Sequence, residues 1–274
     1  MTAPLKVVPQ TLHGGDGGKI AIQDLSYIYV TRAGETPALN NLSFSVREGE
    51  FCSIVGPSGC GKSTLLSILS GLLEPTEGRA LLDGEPIAGT NGKVGFFLQK
   101  DHLFEWRNVL QNAMLGLEII GNTGEEARRK VHRLLDTYGL AAFKDSYPHQ
   151  LSGGMRQRVA LIRTLATDPE VLLLDEPFSA LDYQTTLILE RDVHAIIQAH
   201  QKTALLVTHD IEEAVSMSDR VIVLSNRPAR IKQIYEIALT VPGQRNPMTS
   251  RDAPEFRSYC NAIWKDLEDE QRAS

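Results

Sequence analysis

The 274-residue chain has few cysteines and lacks both a long apolar run and an excess of basic residues. Its three cysteines, Cys52, Cys60 and Cys260, are widely spaced and include no C-x-x-C pair, so we expect free thiols in a reducing compartment rather than disulfides or a zinc site. No apolar stretch approaches the roughly 18 residues of a membrane span. Residues 1–19 also lack the apolar centre of a secretory signal, which predicts a cytosolic protein.

Charge and size limit the function further. The formal net charge is −6, and because proteins that bind the phosphate backbone carry a basic surplus, nucleic acid is not expected as a partner. The content of 42% hydrophobic and 23% charged residues is that of an ordinary globular protein, and 274 residues suffice for one large core or two modest domains.

The order of the apolar segments predicts an α/β fold with a parallel sheet. Four runs have the composition of strands: "FCSIVG" (51–56), "VLLLDEP" (171–177), "TALLVTH" (203–209) and "RVIVLS" (220–225). A predicted helix at about 184–200 separates the second and third runs, and this alternation is typical of α/β proteins. Short strands with a turn around Gly34 are expected over 20–50, and mainly helices over about 100–168.

The two ends of the chain differ from the centre. Residues 1–19 are polar and glycine-rich and are expected to form a flexible tail. Within 241–274 we expect a linker, "VPGQRNP", and then one helix with Asp252 as its cap and Pro254 in its first turn. The apolar side chains of this helix recur at helical spacing, which predicts packing on the core, with a regulatory or partner contact as the alternative: Phe256, Tyr259, Ile263 and Leu267.

Residues 56–64, "GPSGCGKST", match the phosphate-binding pattern G-x-x-x-x-G-K-[ST] between a predicted strand and a predicted helix. Glycines in such a loop let backbone N–H groups turn toward phosphate oxygens, and the helix start adds its positive dipole end. Lys62 should reach the β- and γ-phosphates, and Ser63 should bind Mg²⁺ through its hydroxyl. The candidate nucleotide-binding residues of this loop are Gly56, Pro57, Ser58, Gly59, Cys60, Gly61, Lys62, Ser63 and Thr64.

A pair of carboxylates, Asp175 and Glu176, ends the apolar run at 171–177. Adjacent carboxylates at the end of a buried strand repel each other and lose solvation, and a nearby cation relieves both costs. Asp175 would therefore hold Mg²⁺, directly or through water. Glu176 would face the γ-phosphate and would orient or deprotonate the attacking water.

The segment "LSGGMRQR" (151–158) also looks like a phosphate-binding turn that leads into a helix. One nucleotide does not need two such cradles. Either the second is an ordinary turn between helices, or it binds a nucleotide that another molecule holds.

Together these motifs resemble the ATP-binding subunit of ABC transporters. "FFLQKD" places Gln99 at the family's glutamine loop, and "LSGGM" is similar to the family signature. "SALD" places Asp182 in its D-loop, and "LLVTHD" places His209 at its switch histidine. The base-stacking aromatic upstream of the glycine-rich loop aligns best with Tyr29, and Tyr27, on the same strand face, is the alternative.

The resemblance covers nearly the whole span 20–240. It implies a P-loop NTPase fold of the ABC type, that is, a nucleotide-binding domain at 20–240 with an inserted α-helical subdomain at about 100–168 and an antiparallel β-subdomain. It also implies that two subunits bind head to tail with two ATP molecules between them. Ser152 and Gly154 would contact the γ-phosphate held by the partner copy through N–H groups at a helix N-terminus, and Gly153 between them is a further expected nucleotide-binding residue.

The same resemblance implies the roles of single residues. The expected catalytic residues are Glu176, His209, Gln99 and Lys62, with Glu176 activating water and His209 and Lys62 stabilising charge on the transferring phosphoryl group. The expected Mg²⁺ ligands are Ser63, Gln99 and Asp175. Asp182 is expected to contact the nucleotide.

Several segments are similar to one subset of the family, the importers of nitrate, sulfonate, taurine and related organic anions. In "DHLFEWRNVLQNAMLGLEI" Trp106 and Asn112 match that subset, whereas Glu105 stands where many members have proline. In the family, a surface near the glutamine loop receives a helix from the permease, and Phe104, Trp106 and Arg107 are candidates for it here. The alternative for Trp106 is packing inside the helical subdomain.

The resemblance implies three partners: a second copy of the chain, an integral membrane permease made of separate subunits, and indirectly a solute-binding protein. The subunit would then lie peripherally on the cytoplasmic face of the cell membrane. An exporter subunit is the main alternative, and an ATPase that acts in DNA repair or on ribosomes is another, although those usually carry two cassettes or long coiled-coil insertions. The permease and the binding protein choose the cargo, so this sequence does not name it.

Overall fold

The computed structural model describes residues 5–7, 18–32, 34–179 and 181–272. The strands within these residues are β1 (Lys6–Val7), β2 (Ile20–Thr31), β3 (Gly34–Val46), β4 (Phe51–Val55), β5 (Glu77–Leu82), β6 (Glu85–Pro86), β7 (Val94–Phe97), β8 (Val171–Asp175), β9 (Thr203–Thr208), β10 (Arg220–Leu224) and β11 (Ile231–Glu236). The α-helices are α1 (Lys62–Leu69), α2 (Val109–Ile119), α3 (Glu125–Thr137), α4 (Gly153–Ala166), α5 (Tyr183–Ala199), α6 (Ile211–Met217), α7 (Pro247–Arg251) and α8 (Phe256–Arg272). None of these helices is long and apolar enough to cross a membrane.

The chain divides into two compact units, residues 1–91 with 190–274 and residues 92–189. In the first unit one sheet has the order β1-β11-β10-β4-β9, in which β4 pairs in parallel with β9 and β10 while β11 pairs antiparallel with β10 and β1. Every residue of β4, β9 and β10 is buried, as is typical of parallel strands with near-continuous apolar sequences. The predicted α/β class is confirmed, because the apolar runs form the parallel strands expected of them.

A second sheet of the first unit is antiparallel, with the order β3-β2-β5-β6. Its strands β2 and β3 have 12 and 13 residues, so the short strands expected over 20–50 are wrong in length. Register shifts along β2 accompany a positive φ of 49° at Asp24, and an added Cβ on Gly78 would lie 2.3 Å from the Asp24 carbonyl oxygen. Bulges of this kind let long strands bend while they stay paired.

The predicted N-terminal tail lies mostly outside the described residues. Of its described residues, 5–7 and 18–19, Lys6–Val7 pairs antiparallel with β11 and forms the edge strand β1. Lys6–Val7 is therefore part of a sheet, which the overall polar, glycine-rich composition of 1–19 did not indicate.

The C-terminal segment contains two helices instead of the one expected. The Asn246 side chain accepts hydrogen bonds from the N–H groups of Met248 and Thr249, each at 3.0 Å, and Pro247 opens α7. Asp252 lies at the C-cap of α7, and α8 begins only at Phe256, so the prediction of Asp252 as an N-terminal cap is wrong. Asn followed by Pro is itself a start signal, and it acts six residues earlier in the chain.

The apolar stripe of α8 packs as predicted. Phe256, Tyr259 and Ile263 are 4%, 2% and 0% exposed and belong to one buried cluster with residues of β4, α6, β10 and β11. Leu267 packs against the same cluster and is partly buried. The helix thus adds its apolar face to the core of the first unit, which confirms the packing interpretation for this stripe.

The second unit has the parallel pair β7–β8 and a group of helices in which α2 and α3 pack on α4. Close packing depends on glycine in two places, because an added Cβ on Gly95 would lie 2.7 Å from Pro169 and one on Gly116 would lie 2.6 Å from Thr167. Asn108 caps α2 through a reciprocal pair of bonds with Gln111.

A surface segment of the second unit carries an aromatic stack. The rings of Phe104 and Trp106 lie 4.7 Å apart with an interplanar angle of 13°, and Trp106 is 73% exposed. Packing of Trp106 inside the unit, the alternative from the sequence, is therefore wrong. The fully buried Asn112 side chain fixes the segment, since it accepts from the Phe104 N–H at 2.8 Å and donates to the carbonyl oxygens of Phe104 and Arg107.

Candidate nucleotide-binding site

The glycine-rich loop of the first unit joins β4 to α1, as its sequence predicts. Gly59 has a φ of 75° and Gly61 a φ of 124°, which L-residues with a side chain rarely adopt. Space is also limiting, because an added Cβ on Gly61 would lie 2.7 Å from the Leu39 side chain and 2.9 Å from the Ala38 carbonyl oxygen. The loop backbone thus lies against its surroundings where a side chain would force it away.

Lys62 lies inside this loop. Its side chain is largely buried, and its Nζ donates to the carbonyl oxygens of Gly56 at 2.7 Å and Pro57 at 3.0 Å. The N-cap residue of α1, Gly61, supplies no side-chain bond to the first N–H groups of the helix, and Ser63 in its first turn is exposed. A cation, a helix N-terminus and an exposed hydroxyl are the donor set that a phosphate chain and its Mg²⁺ require, so these residues fit both groups.

Cys60, inside the loop, is buried, and burial raises the pKa of its thiol. A buried thiol with a raised pKa is typical of a cysteine that fills space in the fold.

We expect Gly61→Ala to weaken ATP binding by about tenfold or more, because a methyl group here meets both an unfavourable φ and two contacts under 3 Å. The measurement is titration of the purified variant with a fluorescent ATP analogue. Gly92→Ala is the matched control, since its added Cβ would meet no atom within 4 Å. Equal affinity of both variants would contradict this account of the loop.

Tyr29 lies beside the same loop. Its hydroxyl forms a hydrogen bond of 3.0 Å with the Thr64 hydroxyl, and the residue is 37% exposed. Tyr27 packs edge-on against it with 4.8 Å between ring centroids. Tyr29 therefore contacts α1, the helix that follows the loop, whereas Tyr27 contacts the ring of Tyr29. Stacking of Tyr29 on the base stays a prediction.

In the second unit, β8 ends at the carboxylate pair. Asp175 is 9% exposed, whereas the next residue, Glu176, has a φ of 44°. A non-glycine residue with positive φ costs of order 1 kcal/mol or more, and such residues concentrate at functional sites. The Gln99 side-chain nitrogen donates to the Glu176 carboxylate at 2.8 Å, so two of the predicted catalytic residues are in direct contact.

The second predicted cradle starts α4. Ser152 is its N-cap and accepts from the Met155 N–H at 3.3 Å, and Ser152 and Gly153 are exposed. An added Cβ on Gly154 would lie 2.8 Å from the Thr185 methyl group, so this glycine is needed for packing as well.

Asp182 lies beside this helix start. Residues 152–155, Arg158, Leu181, Asp182 and Thr185 line one cavity of about 210 Å³. Asp182 accepts from the Thr185 hydroxyl at 2.7 Å and from the Thr185 N–H at 3.0 Å, and these bonds lower the pKa of the Asp182 carboxyl. Asp182 therefore closes the first turn of α5, a structural role that its motif did not reveal.

The segment after Gln99 is held by α4 through residues that sequence reasoning missed. Asp101 accepts from Arg156 at 3.0 Å, and Arg163 donates to the carbonyl oxygens of Asp101 and His102 at 2.8 Å. Gln157 donates to the carbonyl oxygen of Gln99 at 3.3 Å. The helix that begins with the second cradle thus fixes the glutamine loop. The partners in each of these bonds lie more than 50 residues apart in the chain, and the only sequence signal for them is the opposite charge of Asp101 and the two arginines.

His209 belongs to the first unit and follows β9 directly. Its side chain is exposed. The structure therefore places the loop at 56–64, Tyr29 and His209 in the first unit, and Gln99, Ser152 to Gly154, Asp175, Glu176 and Asp182 in the second.

Comparisons with known proteins show the family to which the chain belongs. The ABC transporter family model matches residues 39–179. The uncharacterized ABC transporter ATP-binding protein YtlC of Bacillus subtilis is 45% identical over 246 residues, which are 90% of this chain and 94% of that protein. The nitrate import ATP-binding protein NrtD of Synechocystis is 41% identical over 249 residues, which are 89% of this chain and 93% of that protein. A solved dimer of the ATP-binding cassette MJ0796, in a post-hydrolysis state bound to ADP and Pi, has a TM-score of 0.71 and 31% identity, and the match covers 80% of this chain and 99% of that one.

Proposed function

This chain belongs to the ABC transporter family as an ATP-hydrolysing subunit, and from this premise we propose that it dimerises around two ATP molecules to energise uptake of a small solute, namely a nitrate-, sulfonate- or taurine-like organic anion or a related compound, through a separate permease. Each chain has one glycine-rich loop in the first unit and, in the second, one helix start, Ser152 to Gly154, whose first two residues are exposed. A single chain needs only one phosphate cradle, so the second is explained by ATP held by another copy. This observation carries the proposal, and the dimeric state of the solved cassette MJ0796 supports it.

Each residue then has a definite task. The N–H groups of the loop and Lys62 bind the β- and γ-phosphates, and Tyr29 stacks on the base. Glu176 accepts the proton of the attacking water, and Gln99 orients that water and Glu176 itself. His209 stabilises charge on the transferring phosphoryl group.

The Mg²⁺ ligands follow from the resemblance. Ser63, Gln99 and Asp175 are the proposed donors, because hydroxyl, amide and carboxylate oxygens suit this hard cation. When bound, Mg²⁺ neutralises phosphate charge and so assists the transfer. The chain's own contribution is to hold Asp175 at the buried end of β8.

The permease would dock on the surface around Phe104 and Trp106. Exposed aromatic residues are enriched at protein interfaces, and buried Asn112 pre-forms this segment. Docking there would hold the subunit peripherally at the cytoplasmic face of the membrane. NrtD is named for nitrate import, which supports a nitrate-like or related organic anion as the cargo.

The test is a pull-down of the tagged chain, extracted gently from membranes of its source organism, with identification of its partners by mass spectrometry. A polytopic permease together with a solute-binding protein is the expected result, and that binding protein can then be screened with nitrate, sulfonates and taurine. A permease without a binding protein would favour export. Ribosomal or DNA-repair proteins without a membrane component would overturn the transport proposal.

We expect Trp106→Ala to weaken binding of the permease by about thirtyfold or more, because a central interface tryptophan commonly contributes about 2 kcal/mol or more to binding, and about 1.4 kcal/mol is a factor of ten. The melting temperature should hardly change, since Trp106 is 73% exposed and truncation of surface residues usually shifts stability by about 0.5 kcal/mol or less. Trp264→Ala, 64% exposed on α8, is the matched control. Undiminished capture by the Trp106 variant would place the docking surface elsewhere.

A further inference from the structure

The turn that carries His209 is closed by three hydrogen bonds. The Thr208 hydroxyl donates to Oε2 of Glu213 at 2.7 Å and accepts from the Asp210 N–H at 3.0 Å. The Asp210 side chain in turn accepts from the Glu213 N–H at 3.1 Å, which caps α6. His209 lies between Thr208 and Asp210, so both of its chain neighbours are tied to the same glutamate.

Glu213, in the first turn of α6, has a buried carboxyl group. It is 5% exposed, and within the part of the chain that the structure describes its other carboxylate oxygen, Oε1, has no hydrogen-bond partner. Burial, reinforced by Glu190 and Asp210 and opposed by the Thr208 bond and by Arg251, raises the pKa of Glu213 well above its usual range. Burial of a carboxyl group costs free energy. The side chain that Glu213 binds is that of Thr208, which directly precedes His209 in the chain.

We propose that Glu213 is a positioning residue, which acts through Thr208 to hold the turn that presents the exposed His209 side chain to the phosphoryl group. The inference rests on the role proposed above for His209. Without the glutamate, Thr208 loses the acceptor that orients its hydroxyl, and the Asp210 N–H loses a fixed partner. Displacement of a catalytic group by about 1 Å can cost about 10²-fold in rate, so a loosened turn should be visible in turnover.

The experiment compares steady-state ATP hydrolysis by Glu213→Ala and Glu213→Gln. The alanine variant should lose about tenfold or more in kcat with little change in KM for ATP, because the nucleotide-binding loop is untouched. The glutamine variant should retain most of the wild-type kcat, since its amide oxygen can still accept from Thr208. Glu212→Ala is the matched control, because Glu212 is an exposed carboxylate in the same helical turn.

Two variants of Thr208 test the same hydrogen bond from its other partner, in case Glu213→Ala does not fold. Thr208→Val removes the hydroxyl but keeps the shape of the side chain, and it should reproduce the kcat loss, whereas Thr208→Ser should not. In labelled-histidine NMR spectra, the His209 resonance, assigned from its loss in His209→Ala, should broaden or split in Glu213→Ala and stay sharp in Glu212→Ala.

The outcomes separate this inference from the proposed function. If His209→Ala is impaired while Glu213→Ala and Thr208→Val hydrolyse ATP at the wild-type rate, Glu213 does not position the histidine and the inference is overturned. If His209→Ala itself turns over at the wild-type rate, the proposed role of His209 fails first, and the inference fails with it. Equal losses of kcat in Glu212→Ala and Glu213→Ala would show a general effect of charge, which also overturns it.

Discussion

Glu176→Gln should leave ATP binding nearly intact and slow hydrolysis by on the order of 10²-fold or more, because an amide cannot accept the proton of the attacking water. The substitution preserves the rest of the site. The glutamine oxygen can still accept from Gln99, as the carboxylate does at 2.8 Å, and the backbone with a φ of 44° is as accessible to glutamine as to glutamate. The expected defect is therefore chemical and not structural.

Two measurements on this variant test the proposal together. Steady-state phosphate release gives kcat, and size-exclusion chromatography with ATP and Mg²⁺ gives the oligomeric state. If hydrolysis is what opens the dimer, the slow variant should accumulate as an ATP-bound dimer while the wild type elutes mainly as a monomer. Glu170→Gln, an exposed position just before β8, is the control and should behave as the wild type. Wild-type turnover by Glu176→Gln would remove Glu176 from the mechanism.

The parts of this site that depend on local pattern could be predicted from the sequence. The glycine-rich loop is contiguous, and its flanking strand and helix have apolar spacing that identifies them, so β4, the loop and α1 follow from 51–69 alone. The same holds for the buried strands β8, β9 and β10. An apolar run of five or six residues is by itself the pattern of a strand that is buried on both faces in a parallel sheet, so these strands can be identified locally.

The features that could not be predicted from the sequence depend on contacts between residues far apart in the chain, or on a choice between two possible helix N-caps. The Gln99–Glu176 bond joins residues 77 apart in the chain, and the clamp of Arg156 on Asp101 joins residues 55 apart, and no local pattern encodes either contact. The strained backbone at Glu176 is imposed by its surroundings and not by glutamate itself. At the C-terminus, Asn246 and Asp252 are both acceptable caps, and the sequence alone did not decide between them.

Arg251→Ala should lower the free energy of unfolding by about 3 kcal/mol, because it leaves the buried carboxylate of Glu190 without its cation. Arg251 donates to both oxygens of Glu190, at 2.8 and 3.1 Å, and the Glu190 side chain is 1% exposed. The pair fastens α7 to α5, so the helix that follows the expected linker is anchored by an ion pair with little access to solvent. Urea unfolding followed by circular dichroism measures the loss, with Arg257→Ala on exposed α8 surface as the control.

The loss of unfolding free energy in Arg251→Ala should also depend on pH, and it should shrink as the pH falls. Burial already raises the pKa of Glu190, and Arg251 is the cation that opposes this rise. Without Arg251 the folded-state pKa rises further above the unfolded value, so the folded variant binds a proton more tightly than the unfolded chain does. Its deficit relative to the wild type should therefore be largest well above the folded pKa and should shrink as the pH falls through it, because protonation removes the unpaired charge. A deficit that does not change with pH would mean that Arg251 contributes packing alone, and that the charge of Glu190 is not what it compensates.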